Sequence, residues 1–475
     1  MSLCVLKSAP QAAPWRATRR NSGGSTGRFR RTPRLSLCVL KSAPQAAPYS
    51  AIEELAPDRK PGLEGLVRRA AIDVTPLRES PPFRRLWVGQ AISFVGSEIA
   101  FVAVPIQLYD LTHSTLAVGL LALCSLGPLL VVPLVGGAIA DAVDRRRLLL
   151  RTELLLAAVS LLLAGNALLP HPQVWALYVL ETAGVAVFSL GAPSMRSLVP
   201  RLVPEEQIAS ATALEGVYGN LGAVAGPALG GILVAAAGLP LTYLLDVGTF
   251  GASLWSVWRL PALPPAEDAD RPGLRSIVEG FRFVRTKQAL LGIFLVDTNA
   301  MVFGMPMALF PAYGAHFGGG ASTVGFLYAA PYGGALVASV LSGWVGHLRR
   351  QGLGVCVAAA LWGAALVAFG YADALWVALA MLAVAGAADF VSAVLRSTIL
   401  LTATPDAMRG RLSGIELAQV ASAPSLGNLE AGVVASLTSL RFSVVSGGIA
   451  CVAGTVLCAL ALPRFVRYDS RRPDA

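Results

Sequence analysis

The sequence predicts an all-α polytopic membrane protein, with twelve transmembrane helices arranged as two pseudo-symmetric six-helix bundles. Three observations carry this. Only 14% of the 475 residues are charged while 55% are hydrophobic, giving a mean hydropathy of +0.63, whereas a soluble domain carries roughly 25% charged residues. The apolar residues come in blocks long enough to cross a hydrocarbon core, which takes about 20 residues of helix. Basic residues fall between those blocks in alternate loops, the pattern that orients helices in a bilayer. The net charge of +10 is therefore spent on orientation and not on nucleic acid, and the lipid bilayer is the solvent for most of the chain.

Residues 1–83 are basic, lack Asp and Glu until Glu53, and contain an identical repeat, SLCVLKSAPQAAP, at Ser2 to Pro14 and again at Ser36 to Pro48. Neither copy can bury a core, so this extension is expected to be disordered. It is read as an upstream extension or duplicated leader, with an organelle targeting arm as the alternative that its Arg-rich composition allows. No apolar stretch precedes a small-residue cleavage site, so the first span is expected to act as its own insertion signal.

The spans are expected near 86–109, 116–139, 148–168, 174–195, 208–236 and 240–259, then 289–312, 323–346, 353–371, 374–395, 410–436 and 442–462. The bundles are accordingly 84–260 and 289–463, joined by a linker at 261–288 and followed by a tail at 464–475. Arg84, Arg85, Arg145, Arg146, Arg147, Arg196, Arg201, Arg349, Arg350, Arg396, Arg409, Arg411 and Arg464 all fall at one set of ends, which predicts cytoplasmic N- and C-termini in the inner membrane. The opposite ends carry His113, His171 and His316, with Arg441 the clear exception. In the linker, Leu274, Ile277, Val278, Phe281 and Val284 recur at helical spacing beside Arg275, Arg282, Arg285 and Lys287, predicting a short amphipathic helix on the cytoplasmic face. The six cysteines show no CxxC spacing and four lie in apolar blocks, where cysteine behaves as a small hydrophobe. No metal site and no cofactor follow.

The halves repeat each other faintly. Gly119 and Gly137 flank span two, and Gly325 and Gly343 flank span eight, 206 positions later. Pro204 and Glu215 match Pro405 and Glu416, each pair eleven residues apart. Two parallel six-helix repeats suit an alternating-access transporter with its cavity between the halves.

After span two the chain reads GGAIADAVDRRRLLL, Gly136 to Leu150. Small residues permit close helix approach, and Asp141 with Arg145, Arg146 and Arg147 can form a charge latch at a helix end; a plain positive-inside stop is the simpler reading of the arginines alone. Gly137, Asp141 and the three arginines resemble the signature between spans two and three of the major facilitator superfamily, with Ala142 and Asp144 departing from it. In span five GAVAGPALGG, with Gly222, Gly226, Pro227, Gly230 and Gly231, resembles the superfamily's antiporter motif. The stretches FRRLWVGQAISFVGSEIAFVAVPIQLYDLT, SIVEGFRFVRTKQALLG, FPAYGAHFGGGASTVGFLYAA and ATPDAMRGRLSGIE are similar to the branch that holds siderophore exporters and macrolide efflux proteins. What the resemblance implies is the major facilitator fold and proton-driven export of a siderophore or similar amphipathic natural product by a monomer.

An acid in a membrane helix is a functional hypothesis by default. Glu98, central in span one, is the first candidate proton carrier, against a structural hydrogen bond or ion pair. Asp297 in span seven, with Asn299 after it, is a candidate for coupling or substrate contact. Glu215 and Glu416 occupy matched places in spans five and eleven, pointing to gating or packing, and Glu181 and Glu430 complete the set. With no Lys or Arg expected at mid-depth in any span, these acids are predicted to lack buried countercharges. Phe94, Phe101, Phe294, Phe303 and Phe310 are candidate cavity aromatics, or helix packing. The alternatives left open are a proton symporter importing a solute and a scaffold or sensor that has lost transport. The sequence has no P-loop, no HExxH and no nucleophile elbow with partners, so an enzyme is not expected.

Overall fold

A computed structural model describes residues 73–261 and 274–471, without the side chains of 133–142, 196, 274–278 and 407. The repeat-bearing extension lies outside the described residues up to 72. Described structure begins earlier than residue 84: a short helix, Thr75–Glu79, precedes the first span and is tied to the bundle where Ser80 Oγ donates to the Leu202 carbonyl at 2.7 Å and Ser210 Oγ to Asp73 at 2.8 Å.

The long helices are α1 (Pro81–Thr112), α2 (Thr115–Ala142), α3 (Arg145–Leu168), α4 (Val174–Arg196), α5 and α6 (together Ile208–Trp258), α7 (Gln288–Phe303), α8 (Gly320–Val340), α9 (Gln351–Gly370), α10 (Leu375–Ala403), α11 (Asp406–Leu437) and α12 (Leu440–Ala461). Twelve spans result, and no strand occurs among the described residues. Their caps are local: Ser80 accepts from the Phe83 amide, Asp144 from the Arg147 amide, and Ser439 from the Phe442 amide, each satisfying a donor that has no partner inside its own helix. Between the halves, Leu274–Val284 forms the expected connecting helix. It docks on the start of α11, with Glu279 3.1 Å from Arg411 and Gly280 against Ile415.

Spans five and six are two helices that meet in a kink at Gly238, at φ 78° and ψ 167°, inside the expected gap between 236 and 240; only glycine adopts that backbone without strain. Two boundaries differ from expectation. Span seven is interrupted after Phe303. A 3₁₀ turn at Met307–Leu309 follows Pro306, and helix resumes at Phe310–His316. The main-chain groups freed by this break are met from three helices: Trp362 of α9 donates to the Gly304 carbonyl at 3.0 Å, Tyr328 of α8 to the Met307 carbonyl at 2.9 Å, and Asn428 of α11 accepts from the Ala308 amide at 2.8 Å. Broken helix survives at membrane depth only when protein satisfies it in this way. The second difference is α10, which continues past the expected end at 395 to Ala403.

The halves meet through α2 against α11 and α5 against α8. At the first crossing a methyl on Gly119 would lie 2.9 Å from the Asn428 carbonyl and 3.3 Å from Gly432 Cα; at the second a methyl on Gly231 would lie 2.5 Å from the Ala321 carbonyl and 2.8 Å from Gly325 Cα. Gly119 and Gly325 are separated by 206 positions, and Gly231 and Gly432 by 201, the offset that also relates Glu215 to Glu416. The faint repeat is thus a pair of symmetry-related glycine crossings. Both sit at the end of the bundle away from the arginine clusters. Toward the arginine-rich end, a methyl on Gly127 of α2, Gly219 of α5, Gly333 of α8 or Gly414 of α11 would meet nothing.

Candidate functional site

The C-terminal half holds a charged network where α7, α10 and α11 converge. Asp297 of α7 is 6% exposed. Its carboxylate is ion-paired with the Arg396 guanidinium of α10 and accepts from Gln419 Nε2 of α11 at 3.0 Å. Gln419 also donates to the Phe294 carbonyl at 3.0 Å, which fixes the amide between two turns of α7. The second Arg396 nitrogen lies 3.7 Å from Asp389, two turns earlier on α10. Glu416, three residues before Gln419, is within the electrostatic reach of Arg396, and its Oε2 is buried without a hydrogen bond. This corrects the expectation that the membrane acids lack countercharges and that Arg396 lies in a loop. Because α10 runs on to Ala403, Arg396 is inside the helix, and one guanidinium serves three carboxylates. A group shared in this way can transfer its strongest contact when any one acid loses its charge.

In the N-terminal half the acids have different surroundings. Glu98 of α1 is half-buried, its Cβ against Gly226 of α5. Glu181 of α4 is half-buried and within electrostatic range of Tyr243 of α6 and Tyr328 of α8. Glu215 is half-buried beside Tyr218, whose ring meets Trp87 and Phe94 edge-on at 5.9 and 6.0 Å. Two buried acids were not anticipated from sequence. Glu153 of α3 accepts from Gln90 Nε2 at 3.1 Å, and Asp246 of α6 accepts from Ser160 Oγ at 2.6 Å. Tyr243, with no exposed surface, donates to Gln107 Oε1 at 2.8 Å.

The structure brings Asp297 and Glu416 into one network and leaves Glu98, Glu181 and Glu215 apart from it, in the other half. Asn299 is directed at α12, where Nδ2 donates to the Cys451 carbonyl at 2.8 Å and the amide packs against Gly454; it bonds α7 to α12 instead of reaching the network. Phe303 is 40% exposed. Phe101 meets Tyr328 edge-on at 5.9 Å across the two halves, and Tyr328 meets Phe310 at 5.0 Å.

Residues 71–473 match the family described as transmembrane secretion effector. The chain belongs to that family, within the major facilitator superfamily. The transporter is 32% identical over 405 residues to the enterobactin exporter EntS of Shigella boydii serotype 18, covering 85% of this chain and 97% of the relative. The same identity and coverage hold for the enterobactin exporter EntS of Escherichia coli O139:H28. Among solved structures it is similar to the nucleoside transporter NupG, with a TM-score of 0.63 at 11% identity over 82% of this chain and all of that one. A bacterial homologue of the human lysosomal transporter Spinster, captured inward-facing and unoccupied, gives 0.60 at 15% identity over 84% and 98%. At those identities the structural likeness shows the fold.

The transporter's two motifs acquire local roles. Gly222, Gly226 and Gly230 form a stripe on α5 that seats α1, against Phe94, Glu98 and Ile99 respectively, while Gly231 and Pro227 face Gly325 of α8. One short motif therefore builds both a helix contact within the half and a crossing between halves, using small residues where backbones approach closely. In the loop motif, Asp144 caps α3 and Arg146 donates to the Trp258 carbonyl at the end of α6. Arg145 is buried and Arg147 exposed. Gly137 and Asp141 lie in the last turns of α2, where the backbone alone is described.

Proposed function

We propose that the transporter exports a siderophore, or an amphipathic natural product of that kind, across the cytoplasmic membrane in exchange for protons. It works as a monomer by alternating access, with both termini cytoplasmic. The observation that carries this reading is the 32% identity running over 97% of relatives that are named enterobactin exporters. Orientation rests on the arginine-rich ends. With those ends inward, the glycine crossings lie on the outer side.

Coupling is assigned to the Asp297 network. With Asp297 charged, Arg396 ties α10 to α7 and Gln419 ties α11 to the same carboxylate. A proton on Asp297 removes the charge that holds Arg396, whose other neighbours include Asp389 on its own helix and Glu416 on α11. The tie from α10 then passes from α7 to α11, altering the helices that flank the cavity in this half. Glu98, Glu215 and Glu181 are assigned supporting roles at the α1–α5 seat and at the α4–α6–α8 junction, and Gly137, Asp141 and Arg145 to Arg147 the inner latch.

The test is export of enterobactin by energised inside-out vesicles, with and without an uncoupler, comparing wild type with Asp297→Asn and Glu98→Gln. Uncoupler-sensitive export that Asp297→Asn abolishes, at unchanged membrane abundance, supports the reading. Export by Asp297→Asn at the wild-type rate removes the coupling assignment, and absence of enterobactin movement by wild type removes the substrate.

A further inference from the structure

Polar residues in the N-terminal half are arranged in two layers across α1, α3 and α6. The inner layer is Gln90, Glu153 and Ser253, in which Gln90 Nε2 donates to Glu153 Oε1 at 3.1 Å and to Ser253 Oγ at 2.7 Å. The outer layer is Ser97, Ser160 and Asp246, in which the two serine hydroxyls donate to the carboxylate at 3.5 and 2.6 Å. On every helix the two members are seven residues apart, Gln90 to Ser97, Glu153 to Ser160 and Asp246 to Ser253. Seven residues are two turns, or about 10 Å of rise. The spacing is reinforced by glycines with the same interval: Gly89 presses against Ser256 and Gly96 against Thr249.

Each layer contains one carboxyl group, and the two come from different helices. Glu153 is 7% and Asp246 2% exposed. Among the described residues, neither is ion-paired with Lys, Arg or His. The groups facing Glu153 are Gln90 of α1, Ser253 of α6 and Tyr218 of α5, a ring that Glu215 also reaches. Those facing Asp246 are Ser97 of α1, Ser160 of α3, Thr249 on its own helix, and Glu153 at a distance. On α3 itself, Arg151 is exposed to the outside of the bundle. Two buried atoms in this column have no hydrogen-bond partner: Glu153 Oε2 in the inner layer, and Gln107 Nε2 beyond the outer one, on a side chain 2% exposed whose oxygen takes the Tyr243 hydroxyl. Tyr243 lies one turn from Asp246 and within range of Glu181. A polar column intended only for packing would close its hydrogen bonds, since an unmatched buried polar atom destabilises the fold.

We propose that Glu153 and Asp246 are proton-exchange sites on a route through the N-terminal half that leads toward Glu181, separate from the Asp297 network. The inference rests on the proton-coupled reading above. In the transfer step the O–H bond of one carboxyl breaks, water between the layers carries the proton, and an O–H bond forms on the other carboxylate. The pair holds the same total charge before and after. The hydroxyls and the Gln90 amide are positioning groups, because they can bond a carboxyl oxygen in either state.

The test is infrared difference spectroscopy of the purified full-length transporter across a pH step, in H₂O and D₂O, alongside proton-driven enterobactin export by the same proteins in liposomes. The expected result is a deuterium-sensitive carboxylic-acid band that loses one component in Glu153→Gln and another in Asp246→Asn. Ser160→Ala is expected to shift the Asp246 component without removing it, and Glu153→Asp to restore the Glu153 component together with export. Spectra of both neutralised variants identical to wild type would overturn the proposal, as would proton-driven export retained by both. Should wild type move no enterobactin under any gradient, the exporter reading fails while the infrared components still decide this one.

Discussion

Replacing Gly325 with alanine places a methyl 2.8 Å from Gly231 Cα and 2.9 Å from its amide nitrogen. Carbon atoms rest at about 3.5–4.0 Å, so α5 and α8 must part by about 1 Å at their crossing. Overpacking of this kind costs roughly 1–3 kcal/mol. The cost falls only on the state in which the halves touch there, so the balance between states should move by roughly 5–150-fold. The pseudo-symmetric Gly119→Ala meets Gly432 Cα at 3.3 Å and should act in the same direction with smaller size. Gly333→Ala, on the same helix as Gly325 but with nothing within reach of its methyl, should leave the balance unchanged. The assay is the distance distribution between spin labels at Asp110→Cys and His316→Cys, near the end of α1 and at the end of the Phe310–His316 helix, in a background without native cysteines. Gly325→Ala should enlarge the long-distance population. An unchanged distribution in Gly325→Ala, or an equal shift in Gly333→Ala, would refute the idea that the glycine crossings seal this end.

Arg396→Met leaves Asp297 buried with one amide donor and should cost on the order of 3–5 kcal/mol. Asp297→Asn combined with Arg396→Met should regain part of that loss, as read by a double-mutant cycle of unfolding in mixed SDS micelles, and additive losses would deny that the two side chains interact. Trp362→Phe removes the donor to the Gly304 carbonyl and should destabilise by about 1–3 kcal/mol, with Asn428→Ala behaving alike at the Ala308 amide; wild-type melting temperatures for both would contradict the account of the broken span.

Much of the fold was legible because lipid imposes length and charge placement on every span. The helix count and the division between halves followed from apolar blocks and arginine positions, and the connecting helix followed from its spacing. The charged core was not legible, for a specific reason. A hydropathy boundary ends α10 at the first arginine, yet Arg396 lies inside a helix that continues for seven more residues to Ala403. Its countercharge, Asp297, is about a hundred residues away in sequence. Glu153 follows the arginine cluster that opens α3 and reads as part of a polar helix end, while its partners Gln90 and Ser253 come from other helices. Asp246 is a lone acid in the apolar run LLDVGTF, the same signal that marks Glu98. The offset of 206 relates Gly119 to Gly325, but their partners Gly231 and Gly432 are related by the offset of 201, so the crossing emerges only when both offsets are set side by side.

The central claim is that outward movement of substrate is exchanged for protons at Asp297. Proton release by the purified transporter on addition of enterobactin, followed with a pH indicator in weakly buffered detergent solution, tests it directly. The account predicts protons released by wild type in proportion to ligand bound, and none attributable to Asp297 from Asp297→Asn. Enterobactin binding to wild type with no proton released, or release undiminished in Asp297→Asn, would contradict it.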